Sequence, residues 1–363
     1  KLMKGIRIRC FYDHLPGKRM ERILHFLKII MLAIGVLVII IGSWFYSKSD
    51  LIEKVPVSKD SLYLSSKEIK KSSVDVEDTI FDKSKDIIAL AGIDYRYDNN
   101  AKNSDAIILA QLDHEYKKIR LISVYRDTYL KINDDLYFKA NSAYNLDGPT
   151  GLLSMLNRNL DLDLANYISV DFTALQKVID AMDGIDIELT PEEAVYVNQY
   201  NGETSIACNV DNTVLQISTE TKTYHLNGSQ CVSYARIRYT QGADFKRTER
   251  QRIILQKILE KSKTLNILQI NDISNKVLPL ITTNISETDL IKSVPALVSY
   301  ELVDMTGFPF QKAIGDIDGA SVVFAEDLQT NVISLHELLG ETDYKPTDEL
   351  RSISEYLKAS TGY

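Results

Sequence analysis

The chain has 363 residues, with 42 Lys and Arg against 50 Asp and Glu, for a formal net charge of −8. That balance disfavours nucleic acid as a partner, because binding along a phosphate backbone draws on a basic domain. The length suits one large domain or two modest ones, and an apolar fraction of 45% is ordinary for a globular protein.

In chain order, the first element is not globular. Residues 29–46 carry no charge, and about 18–20 such residues cross a bilayer as a helix. Trp44, Phe45 and Tyr46 close the run as an aromatic belt does at a lipid–water interface. Lys18, Arg19, Arg22 and Lys28 precede it, whereas Lys48 on the far flank is balanced by acids. The positive-inside rule then places residues 1–28 in the cytoplasm and everything after the span outside. A cleaved signal peptide is the competing reading, although residues 47–50 offer no small-x-small site. Met20 is an alternative start, so residues 1–19 are assigned no role. Residues 47–85, rich in Ser, Lys, Asp and Glu, read as an extracytoplasmic stalk with a short helix near 65–72.

Residues 86–363 read as one α/β domain. Apolar runs of strand length cover 87–93, 106–112 and 119–125. The connections between them are too short for crossover helices, so the three strands form an antiparallel meander. Asp94 follows the first strand, Asp105 opens the second, and Arg126 and Asp127 end the third; the meander gathers all four at one edge of the sheet. Helical patterns follow at 150–159, 171–182 and 191–200, with strands at 167–170 and 185–189. The C-terminal part alternates strand and helix patterns, with a strand near 282–286 before a helix, a strand at 321–325 and a last helix near 347–357.

Five arginines, Arg236, Arg238, Arg247, Arg250 and Arg252, crowd into seventeen residues of this acidic chain. Guanidinium presents a planar fork of donors with a permanent charge, well suited to phosphate. Arg236 and Arg238 alternate with apolar residues as on a strand edge. Arg247 opens a helix whose buried stripe, Ile254, Leu255 and Ile258, extends back to Gln251 and Arg247. Charged residues on a buried stripe need partners there, and a bound phosphate would supply one. Glu249, Arg252 and Gln256 point to solvent. The competing readings are scattered surface arginines, turn and cap roles for Asp94 and Asp105, and a structural ion pair for Arg126 and Asp127, the last being the favoured role of Asp127 itself. Of the cysteines, Cys10 is cytoplasmic, while Cys208 and Cys231 fall outside, where either a bridge or two free thiols is open. No Cys/His spacing suggests zinc.

Gly92–Arg96 with Ser104 and Asp105, Ser123–Thr128, Lys139–Tyr144, Ile179–Ile187, and Leu226–Tyr239 leading to Asp244–Gln251 together resemble the LytR–CpsA–Psr family of cell-wall phosphotransferases. The resemblance covers about 86–300. It implies an extracytoplasmic α/β domain with a mixed, partly antiparallel sheet flanked by helices. It also implies transfer of a glycopolymer from a polyprenyl pyrophosphate carrier to peptidoglycan, with Mg²⁺ or Mn²⁺ on Asp94 and Asp105. Arg126, Arg236, Arg238, Arg247 and Gln251 then match pyrophosphate-binding positions, with Arg250 beside them, and a greasy pocket between sheet and helices would hold the polyprenyl chain, whereas the residues alone read the apolar helix faces at 150–182 as core. The chain departs from the family pattern at Asn103, where Arg is usual, at Tyr125 for Pro, at Asp183 for Gly and at Cys231 for Ala. The rival functions are a regulatory membrane protein that holds polyprenyl phosphates without turnover, and a lipid pyrophosphate hydrolase.

Overall fold

A computed structural model describes residues 52–58, 61–64, 84–95, 102–240, 242–286, 289–290 and 299–363. The expected membrane span and the helix near 65–72 lie outside the described residues, and no helix among the described residues is long and apolar enough to cross a membrane.

The elements run β1 (Glu53–Lys54), β2 (Lys85–Tyr95), β3 (Lys102–Asp113), β4 (Lys118–Val124), β5 (Tyr129–Lys131), β6 (Tyr137–Lys139), α1 (Ser142–Leu160), β7 (Tyr167–Asp171), α2 (Phe172–Ala181), β8 (Ile185–Leu189), α3 (Pro191–Cys208), β9 (Lys222–Leu226), α4 (Gly228–Arg236), α5 (Ala243–Ser262), α6 (Ile267–Val277), β10 (Ile281–Thr283), β11 (Glu301–Phe308), β12 (Lys312–Ile317), β13 (Ala320–Ala325), α7 (Leu328–Leu339) and α8 (Asp348–Thr361). The central sheet is mixed and has seven strands among the described residues, in the order β1-β10-β7-β2-β3-β4-β11. β2, β3 and β4 form the expected antiparallel meander. β7 and β11 add in parallel to β2 and β4.

Both faces of the sheet are covered, and period-2 alternation sorts the side chains between them. Ala89, Ala91, Ile107, Leu109 and Ile122 face Leu152, Leu153, Met155 and Leu156 of α1, with α7 and α8 completing that layer. The α1 residues are fully buried, so this apolar stripe is packed core. Ile88, Ile108, Ala110 and Leu121 line the other face, with half-buried Leu255 and Leu259 of α5 against them. A third cluster joins α2, α3, α4 and the β8–β9 pair to Ile254 of α5.

Capping sets the helix starts. Asp171 accepts from the Ala174 N–H, and Thr190 with Glu193 and Asn227 with Gln230 form capping boxes at α3 and α4. The Asn227 cap overturns the expected strand at Arg236 and Arg238: Arg236 ends α4, and Arg238 lies in the turn before α5. The stalk expectation also changes in part. β1 pairs with β10, and Ile52 and Leu62 are buried in the domain. Cys208 and Cys231 are buried free thiols, so the bridge reading is not met. Burial raises both thiol pKa values.

Two of the departures from the family pattern, at 183 and 125, have a visible local setting. Asp183 has φ of 61°, a left-handed backbone that glycine adopts without strain. Tyr125 packs edge-on against Phe245, with ring centroids 4.7 Å apart. A Cβ on Gly307 would lie 2.2 Å from the Tyr125 hydroxyl, so this glycine makes room for that ring.

Candidate functional site

The site forms where the meander ends. β2 and β3 pair in register up to Gly92 opposite Ala106, and then Ile93 pairs with Ser104. Asp105 is thus the extra residue of a β-bulge, a device that re-aims side chains beside functional sites. Asp94 lies one pairing step further, inside β2 rather than beyond it, opposite Asn103.

Asp105 collects three arginines from three elements. Its Oδ1 accepts from Arg126 Nη1 at 3.0 Å, and its Oδ2 accepts from Arg247 Nη2 at 2.6 Å and from Arg238 Nη2 at 3.5 Å. Arg126 follows β4, Arg238 precedes α5, and Arg247 is the fifth residue of α5 rather than its first. Asp244, in the first turn of α5, faces the same groups, 3.3 Å from Arg126, 3.8 Å from Arg247 and 3.9 Å from Arg238. Asp127 bridges Arg126 at 3.2 Å and Lys139 at 2.9 Å, the structural role expected of it. Arg126, Arg238, Arg247 and Lys139 therefore stand against Asp105, Asp127 and Asp244, an excess of one positive charge before Asp94 is counted.

Burial alone would raise the Asp105 pKa, but Arg247 and Arg126 outweigh it and hold the carboxyl at about 2. Burial works against the charge on Arg247 and lowers its pKa, with Asp105 opposing that shift. Arg247 is 2% exposed, yet its Nε and Nη1 make no hydrogen bond. Each buried donor left without an acceptor costs about 1–3 kcal/mol. The cluster is thus a set of oriented donors with unspent capacity, suited to a multiply charged anion.

The other expected residues divide. Gln251 is half-buried one turn beyond Arg247. Arg236 does not join the Asp105 cluster: it donates to Thr204 and Glu203, and lies 5.7 Å from the ring centroids of both Phe172 and Tyr200. Burial and Tyr239 raise the pKa of Tyr200, and Arg238, Arg236 and Arg247 all oppose that rise. Arg250 is committed to structure, donating to Glu193, the Ile237 carbonyl and Thr240. Arg252 is buried rather than on the surface and donates to the Thr306 carbonyl of β11. α5 is packed on both sides at Arg252, whereas Glu249 keeps 47% of its side chain exposed, as expected. Asp244 and Lys139 were not singled out as site residues; the signal available was their position inside the quoted motifs.

For a divalent cation, the test is the donor set. Asp94 and Asp105 are hard oxygen donors on paired strands, and one oxygen of Asp244 is buried without a hydrogen bond. No group of three or more metal-ligating side chains occurs among the described residues. Three guanidiniums beside Asp105 would repel a bare cation. The residues therefore fit a cation that keeps waters or arrives with phosphate oxygens, as Mg²⁺ does.

Comparison with known proteins identifies the family. The LytR_cpsA_psr family pattern matches residues 54–337. Regulatory protein MsrR of Staphylococcus aureus is 29% identical over 191 residues, 52% of this chain and 54% of MsrR, so the match spans about half of that relative. The polyisoprenyl-teichoic acid–peptidoglycan teichoic acid transferase TagU of Enterococcus faecalis is 27% identical over 72% of this chain and 79% of its own length. The fold resembles TagT, solved bound to LIIa-WTA (21% identity, TM-score 0.54) and with octaprenyl pyrophosphate lipid (20%, 0.50), each covering 77% of this chain and 92% of TagT. With the meander, the bulged aspartate and the arginines that converge on it, and with a family match over most of its length, the chain belongs to the LytR–CpsA–Psr family.

Proposed function

We propose that this protein is a membrane-anchored phosphotransferase that moves a glycopolymer from a polyprenyl pyrophosphate carrier to peptidoglycan, on the outer side of the cytoplasmic membrane. The observation that carries this reading is the convergence of Arg126, Arg238 and Arg247 on Asp105, with two Arg247 donors left without a hydrogen bond. Arg126 and Arg238 would bind and orient the pyrophosphate, and Arg247 would donate to it from the buried side. Arg236, at the rim, would hold a more distant oxygen. Phosphoryl transfer places charge on equatorial oxygens, and fixed donors aimed there stabilise it without reorganisation. Asp94 and Asp105 would hold Mg²⁺ or Mn²⁺, which would supply positive charge to offset that on the departing polyprenyl phosphate. When the anion binds, Asp105 would give up part of the arginine shell that otherwise holds its carboxyl at about 2.

The test is transfer by the full chain in detergent, with a polyprenyl-pyrophosphate-linked oligosaccharide and peptidoglycan fragments. Transfer should need a divalent cation and should fall about a hundredfold or more in Asp94→Asn or Asp105→Asn with the fold kept. Lipid binding without transfer by wild type would favour a regulatory role, as the name of MsrR suggests for that relative. Release of phosphate without acceptor would favour hydrolysis.

A further inference from the structure

A second set of polar groups lies away from the Asp105 cluster, around Arg158 of α1. The Arg158 side chain is 3% exposed. Its Nε donates to Glu349 at 2.7 Å and its Nη2 to Asp134 at 2.8 Å. The guanidinium lies 4.0 Å from the centroid of the Tyr63 ring. Its Nη1 is buried and has no hydrogen-bond partner. Arg158 lines a cleft of about 310 Å³ together with Tyr63, Asn133, Leu146, Asp147 and Ser154.

This cleft is built into the fold. α1 breaks at Asp147 and Gly148, where φ of Gly148 is 54°, and resumes at Pro149. Gly151 lets the two halves approach, since a Cβ there would lie 2.4 Å from the Ala143 carbonyl oxygen. Tyr63 holds a left-handed backbone, with its ring against Arg158 and its hydroxyl donating to Asp134 at 3.2 Å. α8 supplies Glu349 and, beyond it, Tyr356, which stacks on Tyr137 with centroids 4.2 Å apart. α8 lies past the region that the family pattern matches, 54–337.

Charge and hydrogen bonding narrow the ligand class. One guanidinium, with Lys131 near Asp134, stands among three carboxylates, Asp134, Asp147 and Glu349, still one negative charge in excess. That surplus of negative charge repels phosphate and carboxylate ligands. The unpaired group is a donor, so a cation would leave it unsatisfied, and so would a hydrocarbon. A hydroxyl meets both demands: it accepts from Arg158 Nη1 and donates to a carboxylate. Hydroxyls combined with flat apolar C–H faces describe a sugar ring, and Tyr63, 44% exposed, offers an aromatic wall at the mouth.

We infer that this cleft is a second binding site, for an uncharged, hydroxyl-rich segment of a glycan. Wall glycan and the sugars of a transferred polymer share that chemistry. The inference rests on the cleft and does not require the transfer reaction.

The test is calorimetric titration of the full chain in detergent with two uncharged probes, an N-acetylglucosamine tetramer and a hexose tetramer without N-acetyl groups. At least one should bind, and preference for the first points to wall glycan, for the second to polymer sugars. Tyr63→Asn keeps a residue that tolerates the left-handed backbone and should weaken binding about tenfold or more. Tyr356→Ala, on the surface of α8, should weaken it less. Octaprenyl pyrophosphate binding should be unchanged in both variants, which separates this site from the arginine cluster. The inference is overturned if neither tetramer binds wild type at about 10 mM, if Tyr63→Asn binds as well as wild type, or if octaprenyl pyrophosphate displaces the bound tetramer.

Discussion

Asp105 shows how much one residue can be asked to do. It is buried, it is the bulged residue of β3, and it keeps three guanidiniums pointing at one place. Its pKa near 2 is also a statement about stability. A carboxylate whose pKa is depressed in the folded state stabilises that state above its ordinary pKa near 4, and the contribution fades as pH falls through the folded value. The depression to about 2 corresponds to about 2 kcal/mol. The stability gap between wild type and Asp105→Asn, measured by denaturant titration, should therefore narrow as pH drops from about 4 to about 2. A gap that stays constant over that window would contradict the pairing. The sequence made Asp105, Arg126 and Arg247 legible, because a short meander forces strand ends together and a buried stripe forces a charge to find a partner. It did not disclose Arg252. A single helical face was assumed, whereas α5 is packed against the sheet and against the α2–α4 cluster at once.

At the scale of elements, the misreading of Arg236 and Arg238 has a simple cause. Ala235–Tyr239 alternates apolar and charged residues, a period-2 pattern, but the chain there is still leaving a helix that Asn227 and Gln230 started nine residues earlier. A cap upstream outranked a short alternation downstream. β11 was also hard to read, since Asp304 and Gly307 interrupt its apolar character and it sits at the sheet edge. Its place there is fixed partly by Tyr125, whose ring fills the space that Gly307 leaves open. Gly307→Ala should destabilise the protein by about 1–3 kcal/mol through overpacking. Because Tyr125 is the group displaced, Tyr125→Ala combined with Gly307→Ala should cost clearly less than the sum of the two single changes. Strict additivity in thermal or denaturant unfolding would show that the two residues do not share that space.

For the whole molecule, the α/β architecture and the antiparallel meander were legible from apolar run lengths and loop lengths. The inclusion of 52–58 and 61–64 in the domain was not, because two buried residues, Ile52 and Leu62, anchor otherwise polar segments. The proposed topology places everything after the uncharged run at 29–46 outside the cytoplasmic membrane. Protease added to intact wall-stripped cells should then digest the domain, and full protection would reject that topology. The central claim is that the arginine cluster is a pyrophosphate site, and it is tested most directly by titrating the full chain in detergent with a short polyprenyl pyrophosphate. Arg126, Arg238 and Arg247 should each contribute through a bidentate fork that lysine lacks. Wild type should bind the pyrophosphate and ignore the matching polyprenyl alcohol, and Arg126→Lys or Arg238→Lys, folded as wild type, should lose about tenfold or more in affinity. Equal binding of pyrophosphate and alcohol, or unchanged affinity in both lysine variants, would contradict the account.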